Sequence, residues 1–208
     1  MKLFLSSVAV TPELLPSFIK LVGKEPTNIR FCLIENGADA YTEASRGFVE
    51  RESNALEAVG LKLSRIDLRD YFKKEGLLET LKDFDVIWFG GGNTYYLRWA
   101  IRQSGFEIIV KELLESGVIL AGGSAGALVM GTTLKGFEIA DEPDKAPELI
   151  TEGLNVVDFV PVPHWQNEKF GGVIAEVKEK LDQAAIKSIV MTDEQAIIVD
   201  GTEIKIAP

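Results

Sequence analysis

The chain of 208 residues carries one cysteine and one histidine. A lone cysteine, Cys32, excludes an internal disulfide and leaves no thiolate cluster for a metal. It lies in the apolar run from Ile29 to Ile34, where a thiol behaves as a small buried hydrophobe. A lone histidine means that any mechanism needing an imidazole must use His164. Positive charge is scarce: 22 Lys and Arg stand against 32 Asp and Glu, for a net charge of −10, and no basic run occurs. This disfavours nucleic acid and anionic membrane as partners, because both select for clustered Lys and Arg. Apolar runs fall short of the roughly 18 residues that cross a bilayer. The apolar opening, Met1 to Val10, has a single lysine ahead of it and no small-x-small cleavage site behind it. It reads as a first strand and not as a leader. The expectation is a soluble, cytoplasmic protein, monomer or homodimer, with residues 1–208 forming one domain.

What is present is a repeated alternation of apolar strands and amphipathic helices. Strands are expected at 2–10, 28–35, 61–68, 85–89 and 118–121, with helices at 11–23, 42–59, 94–104 and 106–115. Thr11 serves as N-cap with Pro12 behind it, and Ala44, Phe48, Ala55 and Ala58 lie on or near the inner face of the second helix. Continuous apolar strands joined through helices specify a mostly parallel sheet with helices on both faces, a three-layer α/β fold. Residues 137–147 are acidic and irregular, with the character of a mobile loop near the site. A helix over 169–185 and three short strands at 188–192, 196–199 and 203–206 complete the chain. Asp200-Gly201 makes the last two strands a hairpin.

The chain is organised around residues 117–131, a strand that turns through Gly122-Gly123-Ser124-Ala125-Gly126 into a helix. This G-x-S-x-G pattern exposes a serine at a sharp turn. The helix behind it aims free N–H groups at the same point. The same residues also suit a plain packing turn. His164 follows Pro161-Val162-Pro163 at a strand end, where α/β folds place their chemistry. Glu194, in the turn Thr192-Asp193-Glu194-Gln195, is the preferred carboxylate to orient it, with Asp193 the alternative. Gly90-Gly91-Gly92-Asn93-Thr94 lacks the spacing of dinucleotide and phosphate loops. Gly91 and Gly92 are candidate oxyanion donors together with Ala125, and Asn93 is grouped with them on the substrate side. The order serine, histidine, acid differs from that of the α/β-hydrolases.

These segments resemble the peptidase E family, the aspartyl dipeptidase group related to cyanophycinase. The resemblance rests on Gly90 to Thr94, Gly123 to Ala127, Pro163-His164 and Asp193-Glu194, and covers residues 85–200. It implies a fold similar to class I glutamine amidotransferases and a Ser124-His164-Glu194 triad. It also implies an acyl-enzyme hydrolysed by water, with no metal or cofactor. Small peptides, with N-terminal Asp-X dipeptides foremost, are the substrates it implies. The chain departs from the family in one respect: there is no arginine after Arg102. The guanidinium that grips the substrate carboxylate is therefore missing from its usual place after the histidine, and Lys169 or Lys178 would stand in only as point charges. An esterase or amidase, or a non-catalytic binding protein on the same fold, are the alternatives.

Overall fold

Short strands that are apolar on both sides are stable only when both faces of their sheet are covered. The computed structural model, which describes all 208 residues, meets that condition. The elements in order are β1 (Lys2–Ser6), α1 (Leu15–Val22), β2 (Phe31–Ile34), α2 (Gly47–Ala58), β3 (Leu63–Arg65), α3 (Leu77–Leu81), β4 (Val86–Phe89), α4 (Thr94–Gln103), α5 (Phe106–Glu115), β5 (Ile119–Gly123), α6 (Ala125–Leu128), β6 (Val160–Val162), α7 (Gly171–Gln183), β7 (Ser188–Val190), β8 (Ala196–Asp200) and β9 (Glu203–Ala207). The main sheet runs β3-β2-β4-β5-β1-β8-β9. Its first five strands are parallel, and β8 and β9 are antiparallel. A separate two-stranded parallel sheet pairs β6 with β7.

Alternate residues of each strand feed two cores. On one face Phe4, Phe31, Val86, Trp88 and Ala121 pack with Phe18 and Leu21 of α1 and Leu56 of α2. On the other face Leu5, Cys32, Ile87, Phe89 and Leu120 pack with Leu97 and Ile101 of α4 and with Phe106 and Leu113 of α5. Cys32 is fully buried, and burial pushes its thiol up to about 12. A third cluster joins α7 to the small sheet through Val160, Val162, Ile174, Val177 and Leu181.

The expected element types hold, but several boundaries shift. The first strand ends at Ser6, and α1 starts at Leu15 behind a turn in which Leu15 donates to the Thr11 carbonyl. Thr11 is thus displaced from the cap position, and the proline in the first turn of α1 is Pro16. The second helix begins at Gly47, after a separate 3₁₀ turn over Glu43–Ser45. Its inner face is formed by Glu52, Ser53 and Leu56, while Ala44 and Ala58 are exposed. Ala55 is half-buried against the core that Leu56 enters and Phe48 against Tyr41, so the inner stripe lies to one side of the one the alanine spacing gives. The acidic stretch after residue 136 contains two 3₁₀ turns, Phe137–Ile139 and Pro143–Lys145.

Where β5 turns into α6, close approach of backbones leaves no room for side chains. A Cβ on Gly126 would lie 1.8 Å from the Phe89 carbonyl oxygen. Gly126→Ala is expected to cost about 3 kcal/mol or more, or to abolish folding. Gly172→Ala, in the first turn of α7 with nothing within 4 Å of the new methyl, is expected to gain about 0.5 kcal/mol. Urea unfolding midpoints of the two variants against wild type check both signs.

Candidate active site

Three loops meet at the C-terminal ends of parallel strands. Ser124 follows β5 directly, with φ 52° and ψ −114°. A β-carbon in that region is strained by on the order of 1–3 kcal/mol. The strain is held by the packed glycines around it and by the bond from Ser124 N–H to the Ser6 carbonyl, 3.2 Å. The result is a hydroxyl standing clear at the turn, at the start of α6.

His164 lies two residues beyond β6 and Asp193 three residues beyond β7. The pairing of Val162 with Val190 in the small parallel sheet brings their loops side by side. His164 also has a positive φ of 63°. Its N–H donates to Ser7 Oγ at 2.6 Å, and the next residue, Trp165, donates to the Met191 carbonyl at 3.0 Å. The imidazole is therefore fixed from the main sheet, through Ser7 at the end of β1, and from the β7 loop. Its Nε2 is 2.9 Å from Ser124 Oγ and its Nδ1 is 2.7 Å from Asp193 Oδ1. With Nδ1–H donating to the carboxylate, Nε2 is left to accept the serine proton, which is the tautomer this pairing favours.

The carboxylate on the imidazole belongs to Asp193 and not to the preferred Glu194, whose side chain is exposed. The tight turn between β7 and β8 decides this, because adjacent residues point different ways and only one can face β6. Asn167 Nδ2 binds the second oxygen, Asp193 Oδ2, at 2.5 Å. The hydrogen bond from His164 holds the Asp193 carboxyl down at about 2, with Asn167 and Ser7 assisting against partial burial. Asn167 and Ser7 had no signature in the sequence, since each acts through a loop geometry that spacing does not reveal.

The glycine turn after β4 lies beside the serine: a Cβ on Gly91 would be 3.6 Å from Ser124 Cβ. Its donors are not equivalent. Gly91 N–H is committed to the buried carboxylate of Glu52, at 2.9 Å to Oε2, so it is not available to a ligand. Gly92 N–H has no partner within the chain. The Gly91 carbonyl oxygen lies against Gly37, and a trans peptide directs the following N–H the opposite way. A Cβ on Gly92, at φ 133°, would sit 2.3 Å from Gly37, so glycine is required there. Ala125 opens α6, where first-turn N–H groups lack intrahelical acceptors. Asn93 is fully buried and its side chain is engaged within the chain. It caps α4, its Oδ1 accepting from Tyr96 N–H at 2.8 Å, while its Nδ2 donates to Asp141 Oδ1 and to the Glu142 carbonyl. Asp141 Oδ2 accepts Thr94 N–H at 2.6 Å, and Lys145 sits over the Tyr41 ring at 4.0 Å. The acidic stretch is thus tied to the start of α4 as a wall beside the glycine turn. No group of three or more His, Cys, Asp or Glu is arranged to hold a metal ion, and no helix is long and apolar enough to cross a membrane.

A hydroxyl, an imidazole and a carboxylate in series, beside unpaired backbone N–H groups, define a serine-hydrolase type of site. The sequence profile of Peptidase family S51 matches residues 6–207, and the chain belongs to that family; it is a peptidase. Among curated relatives, the uncharacterized peptidase Lin0382 of Listeria innocua is 29% identical over 161 residues, 76% of this chain and 75% of its own length. Peptidase E of Shewanella sp. strain ANA-3 is 29% identical over 124 residues, 60% of this chain and 51% of its own length. Among solved structures, a Listeria monocytogenes EGD-e protein provisionally named Peptidase E superposes with a TM-score of 0.82 at 24% identity, covering 99% of this chain and 96% of its own. That likeness fixes the mostly parallel α/β fold.

The depressed Asp193 carboxyl carries a pH signature. A group whose folded value lies below its ordinary 3.8 stabilises the fold above that value and loses the contribution as pH falls towards about 2. Wild type is therefore expected to lose stability more steeply than Asp193→Asn between pH 4 and pH 2, with the difference read from urea unfolding at stepped pH.

Proposed function

We propose that the protein is a serine peptidase acting on small peptides, with Ser124 as nucleophile, His164 as general base and acid, and Asp193 as the group that orients the imidazole. The observation that carries the reading is the unbroken series Ser124 Oγ to His164 Nε2 at 2.9 Å and His164 Nδ1 to Asp193 Oδ1 at 2.7 Å. In the acylation step, His164 Nε2 takes the proton as Ser124 Oγ attacks the scissile carbonyl. The carboxylate of Asp193 stabilises the imidazolium that forms. The N–H groups of Gly92 and Ala125 receive the oxyanion. The imidazolium then returns the proton to the leaving amine, and water reverses the sequence to free the acyl group.

Short substrates are favoured by the wall that Asp141 anchors next to Asn93 and Thr94, since a long polypeptide needs a groove open at both ends. A preference for N-terminal aspartate finds less support. Arg46 and Arg69 both reach Asp39, and Arg69 also pairs with Asp67. Neither is a free partner for a substrate carboxylate. The reading therefore commits to small peptides and leaves the Asp-X class to a direct comparison with neutral dipeptides. The cytoplasm is the proposed location, and the whole chain is proposed to work as one domain.

Labelling with a fluorophosphonate tests the reading first. Wild type is expected to label, and Ser124→Ala and His164→Ala are not; a folded wild type that stays unlabelled refutes it. A second comparison settles the acid. Asp193→Asn is expected to slow labelling by a factor of about 10² to 10⁴, as loss of the orienting carboxylate does in serine triads. Glu194→Gln is expected to label at the wild-type rate, and the opposite ranking would restore Glu194 to the role.

A further inference from the structure

The carboxylate of Glu52 lies beneath both glycine turns, and the mechanism above leaves it without a part. Glu52 comes from the middle of α2, on the face that packs against the sheet. Its Oε1 accepts the indole N–H of Trp88 at 2.8 Å, and its Oε2 accepts Gly91 N–H at 2.9 Å. A Cβ on Gly90 would approach Oε2 to 3.1 Å, and one on Gly123 would approach Oε1 to 2.8 Å. One buried carboxylate is thus wedged between the end of β4 and the residue that precedes Ser124. Cores rarely hold an acid with no cation to neutralise it. The two donors that bind it are neutral, and the wild-type fold retains it all the same.

We infer that Glu52 is a positioning residue for the oxyanion site, its ionised carboxylate holding Gly91 N–H inward so that Gly92 N–H is presented to the substrate. The inference rests on the reading of Ser124 as nucleophile. The peptide geometry carries it. Gly90 to Gly92 have no side chains to fix their orientation, and glycine peptides flip readily between φ signs. Four contacts set this turn: Gly90 N–H on the Ile34 carbonyl and Asn93 N–H on the Gly37 carbonyl at its two ends, and between them the Gly91 carbonyl oxygen against Gly37 and the Gly91 N–H on Glu52. Removing the bond to Glu52 frees the Gly90–Gly91 peptide, and the adjoining Gly91–Gly92 peptide, which carries Gly92 N–H and meets it at the Gly91 Cα, is then held on one side only.

Protonation would do the same from within. A carboxylic acid has one oxygen converted to a donor, and two inward N–H groups then compete for what remains. Burial pushes Glu52 up to about 7, with the hydrogen bonds from Gly91 and Trp88 opposing. The charge that acts on it is Glu35, at the end of β2, which raises it further and is itself held by Arg65 of β3 and by Ser53. The groups facing it from β4 and from the two turns, Trp88, Gly90, Gly91 and Gly123, are neutral. His164 and Asp193 stand beyond Ser124 and make no contact with it. The site is therefore expected to gain competence as pH rises through about 7 and the carboxylate becomes charged.

The test follows two readouts. Fluorophosphonate labelling rates are measured from pH 5.5 to 9 for wild type and Glu52→Gln. The glutamine keeps the volume but presents one acceptor and one amide donor to two N–H groups, so one of them is always opposed. Expected is a rate at pH 9 lower by about tenfold or more, with one proton fewer in the acid limb than wild type shows. A folded Glu52→Gln that labels at the wild-type rate with an unchanged profile overturns the inference. The second readout uses ¹⁵N-labelled wild type and involves no chemistry at the serine. The Gly91 amide and Trp88 indole protons are expected far downfield at pH 8.5, moving upfield together as pH falls through about 7. Their independence of pH over that range also overturns it, even if the variant fails to fold. An unlabelled wild type speaks against the nucleophile assignment instead, and the Gly91 resonance still reports whether Glu52 controls the turn.

Discussion

The close approach of α6 to the end of β4, and of the end of β5 to the loop after β1, is the constraint on which the site depends. Even one methyl on Gly126 would overlap the Phe89 carbonyl oxygen, at 1.8 Å, and one on Gly123 would lie 2.2 Å from the Val8 carbonyl oxygen. Side chains are excluded from this junction, so its geometry is set by backbone against backbone. That contact has two results. It forces Ser124 into a conformation that a residue with a β-carbon would otherwise avoid, and it brings the glycine turn after β4 beside the serine. The half-buried hydroxyl and its neighbouring N–H groups come from the same packing.

The imidazole and its acid are held by a different device. A small parallel sheet, apart from the main one, aligns the loops that carry His164 and Asp193. Ser7 then ties the His164 backbone to the end of β1. The two halves of the site are thus built on two sheets, and their register depends on bonds that cross between them. Asn167 completes the arrangement by occupying the oxygen of Asp193 that the histidine does not use.

Glu52 places stability and chemistry in opposition. A carboxyl whose folded value is near 7, against an ordinary 4.5, binds its proton more readily in the folded state than in the unfolded chain. Stability therefore falls as pH rises from about 4.5 through about 7, by on the order of 3 kcal/mol in total. Asp193 acts in the reverse sense at lower pH, through a value held near 2. Both of these contributions are present together at mildly acidic pH, while the charged form of Glu52 belongs to neutral and alkaline pH.

The sequence by itself determined the strand–helix alternation, the elbow at Ser124 and His164 as the one imidazole available, since there is no second histidine. These features are local or unique: periodicity, glycine spacing and a count of one need no partner to be read. Tertiary structure alone decided between Asp193 and Glu194, because neighbouring residues in a turn differ only in which way they face, and that is set by the strand the turn packs against. It also decided that Gly91 N–H faces inward, that Asn93 caps α4, and that the inner stripe of α2 carries Glu52. A glutamate on a helix reads as solvent-facing because an isolated charge is costly to bury. The indole of Trp88 and the amide of Gly91, 36 and 39 residues away in the chain, offset that cost, and their meeting with Glu52 exists only once α2 lies across the sheet.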